Sequence, residues 1–105
     1  MTQDELFSCL CQYACEILTF EEYHSMGLEG FHEWVRCNII PIPKSELVVG
    51  RTYPGYCRNA SEAVWKENGK FEYSRHKFGH TFPEEINHYE DDDGYDVFVP
   101  VKCKF

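Results

Sequence analysis

The chain contains no run of apolar residues approaching the length of a membrane-spanning helix and no C-x-x-C pair. It also lacks the G-x-S-x-G nucleophile elbow, the phosphate-cradling G-x-x-x-x-G-K loop and the dinucleotide-binding G-x-G-x-x-G turn. These absences remove the enzyme classes that announce themselves by local motif. Basic residues are scarce, with ten Lys and Arg against eighteen Asp and Glu, a net charge of −8 and a pI near 5.0. A field of that sign repels phosphate backbones, so broad nucleic-acid binding is disfavoured. The amino terminus, Met-Thr-Gln-Asp-Glu, is acidic where a secretory signal is basic, which predicts no membrane association and a cytoplasmic location with the six cysteines reduced.

Core material is plentiful. Hydrophobic residues make up 43% and aromatics 16% of the 105 residues, enough for one folded domain spanning residues 1–105. Thr2 and Glu5 have capping-box spacing, and Leu6, Leu10, Tyr13, Ala14, Ile17 and Leu18 follow at helical period. Thr19 and Glu22 repeat the capping signal, Gly27 is a stop, and Leu28, Phe31, Trp34 and Val35 carry a third helical pattern to Cys37 or Asn38. Ile39-Ile40-Pro41-Ile42-Pro43 reads as an extended connector, since proline in these positions excludes helix.

From residue 45 the period shifts toward that of strands. Leu47-Val48-Val49 leads into Gly50, and Pro54-Gly55 marks a turn or bulge before Tyr56. Asn68-Gly69 supplies the positive φ angles of a tight hairpin between Ala63–Trp65 and Lys70–Arg75. Val97, Val99, Val101, Cys103 and Phe105 share one face of a final strand, with Phe98 on the other. The expected fold is therefore α+β. A helical part over 1–38 precedes a β part over 45–105 that forms either a strongly bent antiparallel sheet or a small barrel. The spacing Leu47-x-x-Gly50-x-x-Tyr53 with tight turns after it resembles a small SH3-like barrel.

Chemistry-bearing residues concentrate between Glu72 and Pro100. Glu90, Asp91, Asp92 and Asp93 form an unbroken acidic run. An EF-hand aligned on Asp91, Asp93 and Gly94 would put Tyr89 and Pro100 where carboxylates are required, so calcium of that type is excluded. Cys9, Cys11 and Cys15 with His76 and His80 have poor spacing for zinc, and no cofactor is expected. Arg58, Asn59, Arg75, Lys77 and His88 fall at predicted strand ends or in the loop from Thr81 to Asp96. A bent sheet would gather them at one edge beside Tyr89. The bland alternative pairs those cations with the acidic run as an internal salt-bridge latch.

In size, charge and absence of motif, the chain resembles the small acidic, cysteine-containing proteins of bacteriophages and mobile elements that inhibit host defence. That resemblance implies a non-enzymatic binding protein that meets a host effector protein through an acidic surface. A second form of the same resemblance is a sponge that sequesters a small anionic signalling nucleotide at Arg58, Arg75 and Lys77. A reading of a different class is a metal-dependent hydrolase built on His88 and the carboxylates from Asp91 to Asp96. A third, a subunit of a larger complex, predicts an exposed apolar patch around Phe31, Trp34 and Phe98.

Overall fold

A computed structural model describes residues 1–58, 60–74, 83–91 and 96–105. Helix α1 (Gln3–Ile17) starts where Thr2 Oγ1 accepts from the Glu5 amide at 3.1 Å. Only half of the expected capping box forms there, because the Glu5 carboxylate takes the Thr2 hydroxyl at 3.0 Å. Helix α2 (Phe20–Asn38) begins with both halves: Glu22 N–H donates to Thr19 Oγ1 and Thr19 N–H donates to Glu22 Oε1. Gly27, at φ 72°, breaks α2 into two helical stretches, a conformation that L side chains rarely adopt.

Six strands follow: β1 (Ile39–Pro41), β2 (Thr52–Cys57), β3 (Ala60–Trp65), β4 (Phe71–Ser74), β5 (Pro83–His88) and β6 (Val97–Cys103). Strands β2, β3, β4 and β5 pair antiparallel in succession, and β6 pairs antiparallel with β2. The ring closes where β5 and β6 run parallel, Asn87 opposite Val97 and His88 opposite Phe98. The result is two amino-terminal helices followed by a small five-stranded closed barrel, with β1 adding to β6 outside the ring. Of the two sheet forms compatible with the sequence, the barrel is the one adopted, and its closing pair is parallel.

Strand β6 is the shared spine of two cores. Phe98 points into the barrel among Trp65, Phe71, Tyr73 and Ile86, while Val99 and Val101 pack against Leu10, Ala14, Phe31 and Val35 of the helices. Alternation along a strand that is covered on both faces explains why its middle is fully buried. At the neighbouring position on β2, an added Cβ on Gly55 would lie 2.1 Å from Val99 O, so β2 and β6 approach this closely only because residue 55 has no side chain.

Local details differ from expectation at two places and decide between two alternatives at a third. Residues 47–49 are not a strand: a 3-10 turn over Lys44–Glu46 precedes them, and Val48 and Val49 are exposed. Pro54-Gly55 lies inside β2, where the register with β3 shifts, so it is the bulge and not the turn. In the β3–β4 hairpin only Gly69 takes positive φ, at 77°. Lys66 N–H donates to Lys70 O and Gly69 N–H to Lys66 O, the bonding of a three-residue loop with a glycine bulge, while Asn68 Oδ1 accepts from the Lys70 amide.

Candidate functional site

Of the residues expected to meet at one edge, Arg58, His88, Tyr89, Glu90 and Asp91 are described, and Arg58 is exposed whereas His88 is buried. Asn59, Arg75, Lys77, Asp92 and Asp93 lie outside the described residues, as do His76 and His80. Arg58 sits exposed at the turn after β2 and lines an open groove of about 500 Å³ along β3 and β4. Lys66 and Tyr73 line the same groove, together with Glu16, Glu62 and Glu72. Three carboxylates against two cations give the described lining no preference for an anion. Lys66 is in addition 3.7 Å from Glu72.

His88 corrects the sequence reading most sharply. The stretch from Thr81 to Asp96 contains β5, whose last residue is His88, and its side chain is buried in the barrel core at 0% exposure. The imidazole stacks on Phe71 at 6.2 Å between ring centroids and lies edge-on to Trp65. Its Nε2–H donates to Ile42 O at 3.0 Å, and Nδ1 accepts from the Glu90 amide at 3.2 Å. Both ring nitrogens are thus occupied in the neutral tautomer, tying β5 to the connector and to the 3-10 turn Tyr89–Asp91. A ring so engaged offers no lone pair to a metal or substrate, so the hydrolase reading loses its imidazole. Among the described residues no group of three or more His, Cys, Asp or Glu could hold a metal ion.

Burial pushes the His88 pKa below its ordinary value, against the raising influence of the Ile42 carbonyl, Glu90 and Asp91. The folded protein then binds fewer protons at this site than the unfolded chain. The stabilisation is complete above the unfolded imidazole value of about 6.5 and is lost as pH falls below it toward the depressed folded value. Urea midpoints measured from neutral to acid pH are expected to fall more steeply for the wild type than for His88→Gln. Parallel profiles would remove His88 as the cause.

The described end of the acidic run is engaged within the molecule. Asp91 forms an ion pair with Lys44, which opens the first 3-10 turn and was not among the expected cations. Tyr89 is half-buried against the helix-facing core, and Glu90 is exposed. Further back, Glu85 lies 3.8 Å from Lys70 and accepts from Asn68 Nδ2 at 3.0 Å, and Tyr73 Oη–H donates to Glu84 at 2.9 Å. Asp91 is thus held by a cation outside the expected set, while Arg75, Lys77, Asp92 and Asp93 of the anticipated latch lie outside the described residues.

The excess of acids over Lys and Arg is concentrated on the helices. Asp4 and Glu5 occupy the first turn of α1 and Glu16 its last; Glu21 and Glu22 open α2, and Glu29 and Glu33 follow the Gly27 break. All seven are exposed. Arg36 is the only Lys or Arg in residues 1–38, so this part holds a net −6 of the chain's −8. Asp4, Glu16, Glu21 and Glu29 have no ion-pair partner among the described residues. The signal was present in the sequence as a count by element, the absence of any Lys or Arg before Arg36, and is masked there by the denser run at Glu90 to Asp93.

Several exposed apolar side chains lie near the junction of the two helices in sequence. Phe20 is 76% exposed and stacks on His24 at 5.3 Å between centroids. Ile17 at the end of α1 and Tyr23 one turn into α2 are also exposed, as is Leu28 after the break. Ile17 had been expected on the buried face of α1 with Leu10 and Tyr13. Phe31 and Phe98, expected in an exposed patch, are buried at 3% and 0%.

None of the six cysteines forms a disulfide; burial and then Glu5 raise the Cys9 pKa, and burial raises that of Cys11, which disfavours the thiolate at both. Among the described residues no helix is long and apolar enough to cross a membrane. No family model, curated protein or solved structure matches the chain.

Proposed function

We propose that the chain is a non-enzymatic binding protein that recognises a basic partner through the acidic outer surface of its two helices. The observation that carries this reading is the charge distribution: seven exposed acids against one arginine in residues 1–38, while residues 39–105 hold eleven acids against nine Lys and Arg, with Glu72, Glu85 and Asp91 paired to lysines. Unpaired carboxylates within about a Debye length of one another sum to a field that steers a cationic surface and repels anionic ones. The acidic contact thus moves from the Glu90–Asp93 run to the helices. The groove at Arg58 supports the nucleotide sponge less well, because its described lining is mixed in charge. A basic effector of a bacterial defence system is the partner class that the resemblance in size and charge implies.

The test uses a short oligolysine peptide as probe. Its affinity should fall linearly on a logarithmic salt axis, and Glu16→Lys, Glu21→Lys and Glu29→Lys together should weaken it by at least about tenfold. The control triple Glu62→Lys, Glu67→Lys and Glu90→Lys makes the same change in net charge on the barrel and should cost much less. Equal losses from the two triples, or no binding at low salt, would overturn the assignment to the helices.

A further inference from the structure

We infer that the helical corner of Ile17, Phe20 and Tyr23 is a docking site for a lysine- and arginine-rich protein segment that carries apolar anchor residues. This rests on the acidic binding surface proposed above and names what holds the partner once charge has brought it there. The sequence places Phe20 at the first position of α2, immediately after the Thr19 cap. Its ring contributes little to the fold, being 76% exposed, and its stacking partner His24 is itself exposed. Tyr23 anchors the corner to the core through an edge-on contact with Phe31 at 4.8 Å. Ile17, Phe20 and Tyr23, exposed within seven residues across the helix junction, present apolar surface to solvent of the kind that marks contact sites more often than isolated exposed side chains do.

Charge selects the occupant. Glu16 precedes Ile17, and Glu21 and Glu22 follow Phe20, with no basic residue on either helix before Arg36. A second copy of the chain would bring the same negative field against this one, and a phosphate-rich membrane surface or nucleic acid would be repelled likewise. A cationic segment with apolar side chains gains on both counts: its charges meet the acidic rim, and its anchors remove Phe20 and Ile17 from water. Electrostatic attraction then governs the association rate, and apolar burial the residence time.

The discriminating experiment compares two peptides of equal charge, oligolysine and an amphipathic leucine-lysine peptide, on the full chain. Wild type should bind the leucine-lysine peptide at least about tenfold more tightly than oligolysine. Phe20→Ser combined with Ile17→Ser should erase that ratio while leaving oligolysine affinity unchanged and the chain folded, since Phe20 is 76% and Ile17 40% exposed. If the ratio persists in the double variant, the docking site is wrong although the acidic surface stands. If neither peptide binds at low salt, the acidic surface itself is wrong, and the corner falls with it. Dimerisation of the wild type in sedimentation that the double variant abolishes would make a second copy the occupant and overturn the proposal. Binding to zwitterionic vesicles that depends on Phe20 would do the same in favour of lipid.

Discussion

Gly55→Ala is expected to destabilise the protein by about 3 kcal/mol or more, the upper end of the usual cost of overpacking. Gly55 is not among the positive-φ glycines, so the requirement is for space and not for a special backbone conformation. The added methyl would lie 2.1 Å from Val99 O, 2.9 Å from Pro100 Cα and 2.8 Å from Phe98 Cζ. A ring can turn aside; two backbone atoms of β6 cannot move without parting β6 from β2. That pairing, Gly55 opposite Pro100 and Tyr56 opposite Val99, is one of the ladders that close the barrel, and the same stretch of β6 supports the helices. For a domain of this size a loss of 3 kcal/mol lowers the melting temperature by on the order of 15 °C. A thermal melt shifted by only a few degrees would mean that β2 and β6 are not packed this tightly.

Phe98→Ala should cost roughly 3–5 kcal/mol, the range for removing a fully buried phenyl ring. Phe98 is 0% exposed, with its ring 4.7 Å from that of Phe71, and it projects into the barrel beside the parallel closing pair. Against a total stability of roughly 5–15 kcal/mol, that loss brings the chain near unfolding at moderate temperature. Phe105→Ala is the internal control: the ring is 72% exposed and touches Trp34 from the edge of the fold, so its removal should change stability by under about 1 kcal/mol. Denaturant midpoints for the two variants decide the matter, and equal shifts would sink the assignment of Phe98 to the barrel core. The two predictions are also linked. In a Phe98→Ala background the ring contact of Gly55→Ala vanishes but the Val99 O contact remains, so most of the penalty at position 55 should persist.

The proposed function has a stability consequence of its own. Carboxylates held close together on α1 and α2 repel one another in the absence of a partner, so salt or a cationic ligand should stabilise the free protein. The basic triple on the helices relieves that repulsion. Its loss of binding would therefore be accompanied by unchanged or higher stability, which separates a surface built for contact from one needed by the fold.

Local signals determined much of this protein. Thr2 and Thr19 mark both helix starts, Gly27 marks the break, Asn68-Gly69 marks the hairpin, and the alternation from Val97 shows a strand covered on both sides. Each depends on neighbours within a few residues, where caps, φ preferences and side-chain period act directly. The net negative charge and its concentration before Arg36 are equally a property of the sequence. What only the tertiary structure decided are the matters set by contacts across long stretches of chain. Strand β5 exists because β4 and β6 complete its hydrogen bonds, although Pro83 and its acids give it weak strand character alone. Its closure carries His88 inside, where burial and the carbonyl of Ile42, 46 residues away, fix it as a neutral core residue. Asp91 found its cation at Lys44 for the same reason, and Glu72 and Glu85 of the β part are likewise paired with lysines. Spacing along the chain cannot reveal such pairings, because they arise only when the barrel brings its ends together.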